Sequence, residues 1–448
     1  MVRLARLTGA VAVVAALALA AGCSNPGEPV VSVPSALYGN VGVPVTIDAS
    51  GSHDAAGGVV TFAWTVAAKP DGSAAALVDV SQGVVRLVAD KEGAYTVHLV
   101  VSTAGKAASG DVAVTVWYPI HPLTFRPIDV EYDRPLDRIV AVSDQPPALH
   151  LYDAAAGKDV AIALPVAPTC VSVSPDGKAA AIGHDAQVTF VDLEAKTVLK
   201  TWATTGLAGD VVVTDPLTLA DHTARVAYLY PQGNQWTMIH AIDASNGAEI
   251  GTDGFGAVYG GGRFKLQPGS SRLILIELGI TPQQFYRGDF DPATGALTLA
   301  GKSDWTAHNM GSNFWISEDG LQILMEAGTR FRTSDMTYSD KLSLFSLLAW
   351  AEAPAAPSAA AGKWLVQPAS DDYSVPADAR SDNSLWTFDA QYLANPERTD
   401  LPKVGLGRAA YPLHGRYVFF DKAGTKRISI AQIDSDAGAL NDFVVLTF

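Results

Sequence analysis

Apolar residues along most of this chain come in short runs, each bounded by residues that favour turns. The stretch VSVSPDGKAAAIGHDAQVTFVDLEAKT, residues 171–197, contains the runs VSV, AAAI and VTFV, separated by SPDGK and GHDAQ. Short apolar runs between Gly-, Asp- and Pro-containing turns predict buried β-strands. In FVDLEAKT a strand ends at Asp192 and a turn follows. The same device recurs at Asp153 (LYDAAAGK), Asp243 (AIDASNGAEI), Asp291 (DFDPATGAL) and Asp434 (QIDSDAGAL), with weaker copies at Asp335 and Asp389. Four of these read D-x-x-x-G, and successive aspartates lie 39 to 54 residues apart. A period of that length points to propeller blades.

A second mark precedes each aspartate. SPDGK at Ser174 joins two strands, and SEDG at Ser317, QPGSS at Gln267 and YDRPLD at Tyr132 hold equivalent places. Each unit therefore reads as strand, tight turn, strand, variable loop, strand, Asp turn, strand, which is one four-stranded blade. A lone blade cannot cover both of its apolar faces, whereas blades set radially cover one another. Residues 124–448 are expected to form seven of them. The repeated aspartates are expected to accept hydrogen bonds from turn N–H groups. The pattern resembles WD40-like and YVTN-type surface propellers, an architecture also used by lactonase-type enzymes. WD dipeptides are absent, so the resemblance concerns architecture more than a functional family.

Upstream, PVTIDASGSHDAAGGVVTFAWTV alternates apolar and polar residues between Gly- and Asp-rich turns, as half-buried strands of a sandwich do. Asp48-Ala49-Ser50-Gly51-Ser52 with Asp54, then Trp64, then Gly93-Ala94-Tyr95-Thr96-Val97 resemble the polycystic-kidney-disease (PKD) module. The resemblance spans residues 30–117 and implies an Ig-like β-sandwich. Trp64 would fill its core and Tyr95 would make a tyrosine-corner hydrogen bond. It also implies a spacer or interaction role at a cell surface. Asp48 and Asp54 are read as turn stabilisers ahead of calcium ligands. The fold class is thus all-β: an N-terminal PKD-like sandwich, a linker at 118–123, and a seven-bladed β-propeller.

The first residues change the setting. Arg3 and Arg6 precede the apolar run LTGAVAVVAALALAAG and then Cys23. A basic start, a short apolar stretch and small residues before a cleavage point make an export signal. Ala20-Ala21-Gly22-Cys23 resembles a bacterial lipobox, which implies removal of residues 1–22, acylation of Cys23 and a tether over 23–29. More than one acyl chain gives stable anchoring. The expected location is the bacterial cell envelope, at the outer membrane or cell surface, with the lipid membrane as one partner. Only Cys170 remains besides Cys23, in the apolar stretch PVAPTCVSVS, and it reads as a small core residue. A net charge of −15 argues against a nucleic-acid partner.

Chemical motifs are sparse. H-E-x-x-H, C-x-x-C and G-x-S-x-G are absent, and the nine histidines show no metal-ligand spacing. No cofactor or metal is indicated, and no catalytic residue is assigned. What varies is loop length. The loops GTDGFGAVYGGGR and KSDWTAHNMG lead into blades, and PASDDYSVPADARSDNS interrupts the sixth. Polar, aromatic, unequal loops on a rigid frame suit recognition. The candidate ligand-binding residues are therefore Tyr259, Trp305, His308, Asp371, Asp372, Tyr373 and Asp382. The opposite face, built from the repeated Asp turns, is expected to be uniform and to bind nothing specific. The leading expectation is a surface scaffold that binds a protein or a glycan without catalysis. The alternatives are an envelope assembly scaffold and a lactonase- or lyase-like enzyme using channel groups such as Arg263 and His308. Charged side chains converging at the channel would favour the enzyme.

Overall fold

A computed structural model describes residues 27–448 apart from 79–80, 104, 233–235, 252–257, 260, 279–283, 304–307, 343–353 and 369–382. The described chain is almost entirely β, and its one helical turn is the short Ser435–Ala437 segment. Residues 36–117 build two facing sheets. One has the order Ala36–Asn40, Lys106–Trp117, Gly93–Thr103, Thr61–Ala68, and the other Val45–Asp48, Val84–Val88, Ala76–Val78. Alternation decides what lies between them. Tyr95, Val97, Leu99 and Val101 face inward from one strand; the first two meet Ile47, Val85 and Leu87 from the opposite sheet, and the last two meet Ala49. Tyr95 is buried, and its hydroxyl donates to Lys91 O at 2.8 Å. Trp64 packs against this core. Asp48 accepts from Ser50 N (2.8 Å) and Asp54 from Ala56 N (3.0 Å), so both carboxylates stabilise turns.

Beyond residue 120 the chain forms a β-propeller. Four-stranded antiparallel sheets follow one another, beginning with Asp129–Asp133, Arg138–Asp144, Pro147–Asp153 and Lys158–Ala163. Next comes a six-stranded sheet running from Pro168–Val173 to Glu249–Ile250. Its strand Ala179–Asp192 doubles back at Ala186, whose φ is 55°. Leu193 N consequently reaches Lys178 O at 3.0 Å. Its strand Thr197–Val213 pairs first with 187–192 and then, from Ala208 on, with Val226–Pro231. Three more four-stranded sheets start at Gly262, Phe314 and Ala355.

The final sheet closes the ring. It has the order Leu413–Phe420, Arg427–Ile433, Phe443–Thr447, His121–Pro122. The outermost strand thus comes from the segment before the first sheet, within the 118–123 stretch that sequence reading treats as linker. Apolar clusters bridge each junction. Val140 and Val142 of the first sheet pack with Val171 and Ile182 of the second, and Ile139 and Ala141 pack with Ile428 and Ile430 of the last. Each sheet is covered on both faces only because its neighbours are present.

The repeated aspartates cap turns. Asp153 accepts from Ala155 N and Ala156 N, both at 2.9 Å, Asp192 from Ala195 N at 2.7 Å, and Asp291 from Ala293 N at 2.8 Å. Asp243, Asp335 and Asp434 do the same with Ser245, Thr337 and Asp436. Asp389 departs from the pattern, pairing with Lys363 Nζ at 2.8 Å and accepting from the Asn395 amide. Cys170 is a free thiol, fully buried within the folded six-stranded sheet, and burial pushes its pKa up.

Candidate functional site

The first strand of each repeat lies innermost, and these strands surround a cavity of about 650 Å³ on the propeller axis. Period-2 alternation sends charge into it. In Asp129-Val130-Glu131 the valine is buried between sheets, while both acids line the cavity. In Arg263-Phe264-Lys265 the phenylalanine is buried and the two cations line it. Asp210, Arg416 and Tyr417 complete the polar wall.

The acids have structural work first. An innermost strand has one edge without a ladder partner, and its buried N–H groups need acceptors. Asp129 Oδ2 accepts from Val171 N (2.9 Å), Glu131 Oε2 from Val173 N (2.8 Å), and Asp210 Oδ2 from Phe264 N (2.9 Å). Each bond ties one inner strand to the next around the axis. Burial raises the Asp210 carboxyl, against the pull of Arg263, whose Nη1 stands 3.9 Å away. Arg263 also donates to Gly209 O at 3.1 Å, and Arg416 holds Gln432 Oε1 at 2.8 and 3.0 Å.

Burial pushes Glu131 up to about 7, with Lys265 the largest opposing influence. A carboxyl whose folded pKa exceeds its unfolded value near 4.5 leaves stability intact below that lower value. Stability is then lost as pH rises toward 7. Glu131→Gln keeps an oxygen for Val173 N and carries no charge. It is therefore expected to raise stability at pH 8 by up to about 3 kcal/mol relative to the parent. The two proteins should converge at pH 4.5. Urea unfolding at both pH values checks this, and an equal difference at both would contradict it.

The structure places few of the sequence-derived candidates. Cys23, Trp305, Asp371, Asp372, Tyr373 and Asp382 lie outside the described residues. For Tyr259 the backbone is described: Val258–Tyr259 pairs with Trp236–Thr237, joining two loops of the same face. Gly261, Gly262 and Ser312, where the 252–262 and 302–311 loops run into their strands, border the cavity. His308 is exposed and stacks on Tyr338 of an outer strand, with ring centroids 3.7 Å apart. It does not line the channel, whereas Arg263 does. Sequence reading missed Asp129, Glu131, Asp210, Lys265 and Arg416. Their signal was charged residues alternating with apolar ones in the first strand of a repeat, as in DVEYD and GRFKL.

One cluster mimics a catalytic triad. Ser143 Oγ lies 2.9 Å from His150 Nε2, and His150 Nδ1 lies 2.7 Å from Asp159 Oδ2. Ser143 is buried, however, and its hydroxyl donates to Pro146 O at 2.8 Å. The group braces three neighbouring strands and does not line the channel cavity. Among the described residues no cluster of His, Cys, Asp and Glu could hold a metal ion.

No family model matches the chain, and no curated protein matches it. Among solved structures, it is similar to the Cps50 (Swd1) β-propeller domain of Myceliophteria thermophila, at 10% identity and a TM-score of 0.49, over 74% of this chain and 98% of that one. It is also similar to Kuenenia stuttgartiensis hydrazine synthase, at 13% identity and a TM-score of 0.47, over 73% and 97% of the two chains. The closed ring of sheets, with His121–Pro122 completing the last one, is itself a β-propeller.

Proposed function

We propose that this protein is an exported lipoprotein of the bacterial cell envelope, anchored through acylated Cys23. Its PKD-like sandwich carries a seven-bladed propeller that acts as a non-enzymatic scaffold for a protein or glycan. In this reading the six-stranded sheet is two blades, divided within Thr197–Val213. The observation that carries the binding role is the polar mouth of the channel. There Arg263 and Arg416 stand among polar groups on a rigid ring, bordered by Gly261, Gly262 and Ser312. Its carboxylates are already committed to backbone N–H groups, which fits recognition better than proton transfer. The convergence of acids and bases is also what a lactonase- or lyase-like enzyme would need, and that is the second reading.

In-cell photo-cross-linking separates the faces. A photoreactive residue at Gln232, beside the mouth, should capture a partner, and one at Asp319, on a turn of the opposite face, should not. The combined Arg263→Ala and Arg416→Ala protein should lose most of the Gln232 adduct while keeping its melting temperature within a few degrees. Adducts from Asp319 alone would reverse the assignment. Lactone turnover that disappears in Glu131→Gln would favour the enzyme instead.

A further inference from the structure

The face made of repeated turns was expected to be featureless, yet a second cavity of about 840 Å³ opens there. Pro175 and Ser270, in the tight turns after two inner strands, and Pro292, in an Asp turn, lie on its wall. Its character differs from that of the first cavity. Leu217, Leu266, Trp315 and Phe419 are only half-buried and present apolar surface to it. The two cavities share Glu131, Lys265, Trp315, Ala355 and Phe419, which therefore mark the waist of the channel, while Leu217 and Leu266 belong to the second cavity alone.

Lys265 is the unusual group. Arg263 pairs with Asp210, and Arg134, at the rim, pairs with Glu318. The Lys265 ammonium has no ion pair or hydrogen bond among the described residues, although it lies within the fields of Glu131 and Asp210. A half-buried cation without a directly bonded partner gains most from an anion brought by a ligand. Apolar side chains on the same cavity wall gain from an apolar body attached to that anion.

We infer that the second cavity binds an amphipathic monocarboxylate, a fatty-acid-like molecule with its head group at Lys265 and its chain along Leu217, Leu266, Trp315 and Phe419. Nearby Glu131 and Asp210 disfavour a doubly charged head group, which selects a carboxylate over a phosphate monoester. Glu131 uses only Oε2, for Val173 N, and in its protonated form can donate a hydrogen bond to a bound carboxylate. Its raised pKa, about 7, keeps that form populated near neutrality. This site is independent of the protein or glycan reading, because it opens on the other face.

The test uses the full chain in lipid nanodiscs and two photoreactive probes, a diazirine-bearing decanoic acid and the matching decanol. The acid is expected to label peptides containing Leu217, Leu266 or Phe419 roughly tenfold more than the alcohol does, the size of a charge-assisted contact. Lys265→Met should remove that preference, and Lys265→Arg, which keeps the charge, should retain it. Equal labelling of the unmodified protein by acid and alcohol would overturn the proposal without any variant. So would adducts confined to other peptides, or an acid preference that survives in Lys265→Met. None of these outcomes depends on whether cross-linking from Gln232 finds a partner.

Discussion

Removal of residues 443–448 is expected to abolish the folded propeller rather than shorten it. The strand Phe443–Thr447 lies between Arg427–Ile433 and His121–Pro122, so its ladder hydrogen bonds join the C-terminal sheet to the segment that precedes the first sheet. Phe443, Val444, Val445 and Leu446 are all buried, and they contribute to the cores on both sides of that sheet. Burying each such side chain is worth roughly 1.5–3 kcal/mol, and four of them approach the whole stability of an ordinary domain. The loss also strands His121 and Leu123, whose backbone pairs with Val445 and Phe443. Tyr118 would lose its 5.2 Å stack on Phe448 and its bond to Thr447 O. Size-exclusion chromatography and thermal unfolding by circular dichroism would report aggregation and the loss of a cooperative transition. A soluble truncated protein that melts sharply near the parent's temperature would show that the ring does not need closing.

Gly405→Val is expected to separate the sandwich from the propeller while leaving each folded. The two meet through a hairpin, Val404–Leu406 and Ala409–Tyr411, inserted before the last sheet. Tyr38 N donates to Gly407 O at 2.7 Å. Asn40, almost fully buried, bonds Tyr118 O and Lys403 O at 3.0 Å each and accepts from Gly405 N at 2.8 Å. A Cβ on Gly405 would fall 2.2 Å from Gly39 N, and a backbone atom cannot move aside as a flexible side chain can. Docking would be lost outright. Small-angle scattering should show a larger radius of gyration, and calorimetry should resolve two transitions. Asn40→Ala leaves buried backbone groups unsatisfied and should cost about 1–3 kcal/mol of the same contact. An unchanged scattering profile for Gly405→Val would mean that the contact does not hold the units together. With the contact intact, the sandwich is a rigid arm that fixes how the channel points relative to the chain's N-terminal end.

Much of the architecture was legible because it is local. An Asp-x-x-x-Gly turn works through a carboxylate and N–H groups two or three residues away, so its mark survives in any stretch of sequence. Asp153, Asp243 and Asp291 carry it plainly, and Asp389, which leans on Lys363 from a neighbouring strand, carries it weakly. Tyr95 was readable for the same reason, since its partner Lys91 is four residues upstream. The candidate site was much less so. Loop length drew attention to the end of the channel where Gly261, Gly262 and Ser312 lie, but not to the charged wall below it. His308 looked like channel chemistry and instead stacks on an outer strand.

The sequence by itself determined strands, turns and their repetition, because hydrogen bonds between near neighbours and the alternation of side chains set these. It also determined that Asp129 and Glu131 share one face of a strand, and that Arg263 and Lys265 share one face of another. Only the tertiary structure decided that both faces look into one channel. Those strands lie some 130 residues apart in the chain, and their meeting depends on every intervening sheet taking its place in the ring. Closure by His121–Pro122 and the approach of Gly39 to Gly405 were likewise invisible, since each joins backbone from opposite ends of the chain, where no local pattern can record a partner.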